Sequence, residues 1–134
     1  MLLSLLPKED KIYFINLLRH LVFVGGENEV TEQQIQDKFR YEMGPDVLKY
    51  RPANLTRKKI FDYFADKSQT SKNIVYMNLF AASLEDQWYN IENHTLLEET
   101  KEAFGISDKK KIELIKIVYA NRDLREKAKR TVNS

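Results

Sequence analysis

Acidic side chains gather in two segments that the sequence predicts to lie between helices. Calcium and magnesium prefer hard oxygen ligands, and several carboxylates close together can supply them. The Asp-x-Asp-x-Asp-Gly spacing of an EF-hand loop is absent, so a cation site here would be of a different kind. The candidate metal ligands are Glu27, Glu29, Glu85, Asp86 and Glu92.

A second interpretation assigns the same acids to helix ends. Negative side chains in a first helical turn are stabilised by the helix macrodipole, and Glu92 stands where a helix is predicted to begin. The sequence leaves both hypotheses open. Either the acids bind Ca²⁺ or Mg²⁺, or they serve the helices and the protein has no cofactor.

The single tryptophan of the chain stands beside a tyrosine in a predicted polar loop, as Trp88-Tyr89. A rigid aromatic pair in a loop can anchor a partner protein. Large aromatic side chains are also highly buried on average, so the pair can equally fold back over the edge of the core. Partner binding by Trp88 and Tyr89 is therefore one of two hypotheses.

Residue types that usually carry catalysis are sparse. The chain has no cysteine, which excludes disulfides, thiolate metal sites and a cysteine nucleophile. The histidines, His20 and His94, are isolated from each other, and no Gly-x-x-x-x-Gly-Lys phosphate loop occurs. We expect no enzymatic activity. A small enzyme that uses carboxylates as general acid and base is the weaker alternative.

Charge is nearly balanced over the whole chain but alternates in blocks. The net charge is +2. Residues 49–72 hold seven basic and two acidic residues, and residues 109–134 hold nine and three, whereas residues 85–108 hold one and seven. The overall balance is too even to indicate a nucleic-acid partner. We expect a protein partner, and the alternative is a second copy of the same chain in a homo-oligomer.

The length of 134 residues is typical of one domain. No apolar run approaches the roughly 18 residues of a membrane-spanning helix. The opening segment, Met1–Pro7, lacks the basic start and the length of a signal peptide. We therefore expect a single cytoplasmic domain over residues 1–134.

Apolar residues recur at intervals of three and four through most of the chain, which is typical of amphipathic helices. The segment 74–84 is apolar on nearly all sides, which predicts a buried central helix. The other helices are expected up to Gly25-Gly26, from Thr31 to Gly44-Pro45, over residues 55–67 and 93–104, and from Ser107 onward.

The last predicted helix has an apolar face formed by Ile112, Ile115 and Val118, which we expect to point inward. Asn121–Asp123 is expected to break this helix. The remaining residues, 121–134, would then form a basic tail or a short terminal helix. Counted with that short helix, the predicted fold is all-α with about seven helices.

The two halves of the chain are similar at an offset of 61 residues, which places Leu18 on Leu79 and Gly44 on Gly105. Each half reads as an apolar helix, a polar loop, a branched residue, a second helix and a glycine. This pattern predicts two helix hairpins related by an approximate twofold axis.

This pattern resembles the TerB-like family, which is named for a tellurite-resistance protein. The second half carries the better match, in Leu79-Phe80, Glu85-Asp86, Ile91-Glu92 and Ala103-Phe104-Gly105-Ile106-Ser107. The first half matches through Gly25-Gly26 and Glu29-Val30-Thr31-Glu32, and the resemblance spans residues 10–120. Gly25-Gly26 stands where the family often has Asp-Gly, so the acidic anchor of the first loop is missing or displaced.

The resemblance implies a single helical domain of about seven helices. TerB-like proteins are associated with cytoplasmic stress and phage-response systems, and divalent-metal binding has been suggested for some. The family is not known as an enzyme family. The resemblance therefore implies a non-catalytic interaction or stress-sensing module, and the alternative is a divalent-cation-binding protein that uses the acids between its helices.

Overall fold

The chain folds entirely from helices within the part that the structure covers. The computed structural model describes residues 1–24, 37–85 and 91–134, without the side chains of residues 23 and 24. Helix accounts for 78% of this part, which contains no strand. The all-α prediction is confirmed.

Six α-helices occur among the described residues, together with two short 3-10 turns, Leu3–Leu5 and Pro45–Val47. The number is one below the expected seven. In chain order the α-helices are α1 (Lys8–Val24), α2 (residues 37–43), α3 (Arg57–Phe64), α4 (Gln69–Ser83), α5 (Ile91–Ala103) and α6 (Asp108–Val132).

Side-chain caps define where three of these helices begin. The hydroxyls of Thr56, Ser68 and Ser107 each accept a hydrogen bond from the backbone N–H three residues further on. Such a bond satisfies one of the N–H groups that a helix start leaves without a partner. Gly105 follows the end of α5 with φ +64°, a left-handed conformation that glycine adopts without a steric penalty. The predicted cap at Ser107 and the glycine stop at Gly105 are both confirmed.

Helix α4 is the centre of the fold, and α1, α5 and α6 pack against it. The predicted buried helix over 74–84 is confirmed, but α4 begins five residues earlier, at Gln69. The early turn is polar, so apolar spacing alone does not reveal it. Ser68 starts the helix because its hydroxyl accepts from the N–H of Ser71 at 3.1 Å.

The prediction of a break at Asn121–Asp123 is wrong, because α6 continues without interruption to Val132. These residues have moderate helix propensity and include neither glycine nor proline, so the cost of keeping them helical is small. The continuous helix replaces the two that the sequence predicted, which accounts for the count of six.

The predicted inward face of α6 is only partly correct. Val118 is buried, with 4% of its surface exposed, and Ile115 packs against the core at partial burial. Ile112 is 53% exposed. The side of α6 that meets α4 is therefore narrower than the sequence pattern indicated.

The expected similarity of the two halves remains a prediction. Helices α1 and α4 begin at positions that differ by the 61-residue offset, and the paired glycines, Gly44 and Gly105, both have positive φ. The predicted helix end at Gly25-Gly26 and the cap at Thr31 lie outside the described residues. None of the described helices has the length and apolar character needed to cross a membrane.

Candidate interaction surface

Two of the predicted site residues lie in the described part of the chain, at different helix ends. Glu85 follows α4, and its carboxylate pairs with the ammonium of Lys38 on α2. Glu92 is exposed in the first turn of α5. The remaining candidates, which lie outside the described residues, are Glu27, Glu29, Asp86, Trp88 and Tyr89.

The metal hypothesis gains no ligand set from the residues that are described. Within residues 1–24, 37–85 and 91–134, no three histidine, aspartate or glutamate side chains are placed to hold one ion. Glu85 instead has an ion-pair partner 47 positions away in sequence, which local spacing cannot reveal. Calcium or magnesium binding stays a hypothesis, since three of its five candidate ligands are not described.

The C-terminal half of α6 is the most exposed helical segment of the described chain. A helix of 25 residues is about 37 Å long. Val118 is its last buried residue, and every residue from Arg122 to Ser134 is exposed. Exposure on all sides means that no described element packs against this half.

One face of this exposed half is apolar. Its members are spaced by three and four residues, which places them on one side of the helix. They are all exposed, with Ile117 at 49%, Leu124 at 65% and Val132 at 79%. We call this face the α6 stripe, and its residues are Ile117, Ala120, Leu124, Ala128 and Val132.

Positive charge borders the α6 stripe. At 100° per residue, Arg125 and Lys127 fall on its two sides, and neither has an ion pair with any described residue. The acidic residues of this half, Asp123 and Glu126, fall on the opposite face. Glu126 accepts from Lys129 at 3.3 Å. The stripe is therefore an apolar surface with a cationic rim.

Tyr119 anchors the start of the exposed half. Its ring meets the edge of Phe80 on α4, with the centroids 5.8 Å apart. The guanidinium of Arg122 lies 4.8 Å from the centre of the same ring. A cation over an aromatic face contributes about 0.5–1 kcal/mol at an exposed site. The contact with Phe80 joins this turn of α6 to α4, whereas the contact with Arg122 lies within α6 itself.

The junction between α5 and α6 sets the direction in which α6 leaves. Lys101 is buried on α5, and its ammonium donates to the carboxylate of Asp108 at 2.9 Å. This hydrogen bond holds the pKa of Asp108 below its ordinary value and raises the pKa of Lys101. A second pair, Lys111 to Glu98 at 2.5 Å, joins the same helices one turn further on.

A cleft of about 220 Å³ opens between α4, α5 and α6. Aromatic rings from Tyr76, Phe80 and Tyr119 form part of its wall. The charged pair of Glu98 and Lys111 also lines it, and the two charges neutralise each other. The cleft therefore lies beside the N-terminal half of α6, and the pair of Glu98 and Lys111 adds no net charge to it.

The spacing of the α6 stripe is present in the sequence, at intervals of three and four residues. The expected break at Asn121–Asp123 divided Ile117 from Leu124 and assigned them to different elements. A helix that continues through the break places both residues on one face.

Comparisons of the chain with protein-family models, with curated proteins and with solved structures find no match.

Proposed function

We propose that this protein is a non-catalytic interaction module that binds a partner protein through the α6 stripe. The observation that carries the proposal is the unbroken helix α6, whose C-terminal half is exposed on every side. Its stripe includes Leu124 at 65% and Val132 at 79% exposure. Large apolar side chains aligned on an exposed helix are typical of surfaces that recognise a partner helix.

The energetics of an exposed helix favour the same conclusion. A helical segment of about 12 residues is marginally stable in water without tertiary contacts. The segment from Asn121 to Val132 has this length and no buried residue. A partner that covers the stripe would supply the tertiary packing that stabilises most helices in folded proteins.

The charge around the stripe selects the chemistry of the partner. Arg125 and Lys127 border the apolar face on its two sides, while Asp123 and Glu126 lie behind it. An amphipathic helix with an apolar seam and flanking carboxylates is complementary to this pattern. A second copy would bring the basic borders against each other, which is unfavourable. We therefore propose an acidic amphipathic helix as the occupant.

We also propose that the protein is related to the TerB-like family as a stress-sensing module. The all-helical architecture and the positive φ of both Gly44 and Gly105 support this relationship. The match of residues 103–107, which connect α5 to α6, supports it as well, because Gly105 and Ser107 form the stop and the cap that the motif implies.

A designed peptide tests the interaction. The probe is a labelled helix of about three heptads, with leucine at the seam positions and glutamate on both flanks. Fluorescence anisotropy should show binding to the full chain, and the same peptide with lysine flanks should not bind. Leu124→Gln should weaken binding about tenfold, whereas Glu126→Gln on the opposite face should leave it unchanged.

Three results would contradict this proposal. The first is equal binding of the acidic and basic peptides. The second is a dimer in sedimentation that Leu124→Gln abolishes, which would assign the stripe to a second copy. The third is Leu124-dependent binding to vesicles of anionic lipid with no binding of the acidic peptide. Circular dichroism of each variant confirms that the helices are intact.

A further inference from the structure

A cavity of about 600 Å³ lies between the start of α1 and residues 45–50, which follow α2. Its volume falls in the range of about 300–1,000 Å³ that is typical of small-molecule sites. None of α6 contributes to it, so it is distinct from the α6 stripe. We call it the Ile12 cavity, and it is formed by Lys8, Ile12, Pro45, Leu48, Lys49 and Tyr50.

The surface of the Ile12 cavity is mainly apolar. Ile12 and Tyr50 are half-buried, and both pack against the core. Leu48 is 49% exposed, and Pro45 is exposed as well, although both side chains are apolar. Water in contact with such a surface is released when the apolar part of a ligand covers it, and this release favours binding.

Positive charge remains at the Ile12 cavity once its ion pairs are counted. Asp46 also lines it, but the carboxylate of Asp46 accepts from the buried ammonium of Lys11 at 3.1 Å and is neutralised. Lys8 and Lys49 are exposed, and neither has an ion pair with any residue that the structure describes. The cavity therefore combines an apolar surface with two unpaired ammonium groups, one on each of the elements that form it.

Hydrogen bonds fix the wall that carries Leu48 and Lys49. Val47 is fully buried, and its carbonyl accepts from the N–H of Tyr50 at 3.1 Å. The hydroxyl of Tyr50 accepts from the amide of Asn16 on α1 at 3.0 Å. A cavity whose wall is fixed before binding loses less conformational entropy when a ligand enters.

We propose that the Ile12 cavity binds a soluble amphipathic carboxylate, which has a hydrocarbon body and one carboxylate at its end. The hydrocarbon covers the apolar side chains, and the carboxylate pairs with an ammonium group of Lys8 or Lys49. Because both lysines are exposed, this pairing avoids the large cost of burying a charge. A ligand with charges along its whole length would leave the apolar surface uncovered, and an uncharged hydrocarbon would gain nothing from the lysines.

Decanoate is the probe for a calorimetric titration of the full chain, at concentrations below those at which it forms micelles. We expect saturable binding at submillimolar concentration. Octanoate should bind about tenfold more weakly, because it is shorter by two methylene groups and covers less apolar surface. Decylammonium, which has the same chain length and the opposite charge, should not bind.

Paired variants locate the bound decanoate. Leu48→Gln should weaken binding about tenfold, whereas Leu124→Gln, which makes the same change at an exposed leucine of α6, should leave it unchanged. Lys49→Gln should weaken binding about fivefold. Its control is Lys109→Gln, which removes an exposed lysine near the start of α6 with the same change in net charge. Circular dichroism of each variant confirms that the helices are intact.

Any of three results would overturn the proposal. The first is no heat from decanoate up to about 10 mM, a limit about tenfold above the expected range. The second is equal weakening by a variant and its control, which would show association with exposed leucines in general or attraction by net charge alone. The third is Leu48-dependent binding to vesicles that contain phosphatidylglycerol with no binding of free decanoate, which would assign the cavity to a membrane surface.

The acidic-peptide measurement separates this inference from the proposed function. Leu48→Gln should not affect peptide binding, because Leu48 lies outside the α6 stripe. Leu124→Gln should weaken peptide binding and leave decanoate binding unchanged. Failure of one titration therefore leaves the other proposal standing.

Discussion

The amide of Asn16 and the hydroxyl of Tyr50 meet at 3.0 Å although the residues are 34 positions apart. The same side chain accepts from the N–H of Ala53 and donates to the carbonyl of Ile12. One buried amide thus joins α1 to the segment that precedes α3.

Replacing Asn16, which is 1% exposed, with alanine should lower the free energy of unfolding by about 1–3 kcal/mol, because it removes the hydrogen bonds of its amide to Ile12, Tyr50 and Ala53. Tyr50→Phe, which removes only the hydroxyl, should cost about 1 kcal/mol. Urea denaturation measures both values. A cost below about 0.5 kcal/mol for Asn16→Ala would show that the hydrogen bonds of Asn16 do not hold the segment that precedes α3.

A tyrosine–carboxylate pair predicts sensitivity to alkaline pH. Tyr63 stacks on Tyr13 with ring centroids 3.7 Å apart, and its hydroxyl donates to the carboxylate of Asp10 at 2.5 Å. Burial, together with this hydrogen bond, raises the pKa of Tyr63 above its ordinary value of about 10. The folded state therefore keeps the phenol proton at a pH where the unfolded state has lost it.

Stability from the Tyr63 pair is fully present below pH 10 and should decline as the pH rises beyond about 10. Denaturation at a series of alkaline pH values should show this slope, and Tyr63→Phe should reduce it. Glu126→Gln, which removes an exposed carboxylate of α6, is the control and should retain the slope. An identical slope in Tyr63→Phe would contradict the assignment.

The contact between α4 and α6 depends on Phe80, which is 6% exposed and meets Tyr119 edge-on. Phe80→Ala should lower the free energy of unfolding by about 3–5 kcal/mol, since it removes a buried ring from the core. Ile112→Ala at an exposed position of α6 should change it by less than about 1 kcal/mol. Thermal and urea denaturation compare the two variants. Equal losses would mean that the packed face of α6 is misassigned.

Removal of the exposed end of α6 should leave the body intact. A chain that ends at Asn121 loses no buried residue, so its free energy of unfolding should change by less than about 1 kcal/mol. The same chain should not bind the acidic peptide. A large loss of stability measured by urea denaturation would show that this half of α6 packs on the body.

Helix identity and caps were predictable because they depend on local spacing. The apolar residues of 74–84 and the Gly105-Ile106-Ser107 sequence are neighbours along the chain. The turn from Gln69 to Asn73 was not predicted, because it is polar and its position depends on the Ser68 cap. The α6 stripe was not predicted, because the expected break at Asn121–Asp123 places Ile117 and Leu124 in different elements.

Contacts between distant residues could not be predicted in the same way. Glu85 and Lys38 are 47 positions apart, and no sequence period connects them. Arg19, Arg40 and Arg51 line one cavity, although they belong to α1, to α2 and to the segment that connects α2 to α3. Only packing brings these three elements together, so the block of positive charge over 49–72 does not locate the cavity.

Amide hydrogen exchange over α6 tests the proposed interaction most directly. In the free protein, amides from residues 121–132 should exchange rapidly, because nothing in the described chain covers this segment. With saturating acidic peptide, exchange in this segment should slow by at least about tenfold, and the change should disappear in Leu124→Gln. Unchanged exchange over 121–132 with peptide bound, or protection confined to other helices, would contradict binding through the α6 stripe.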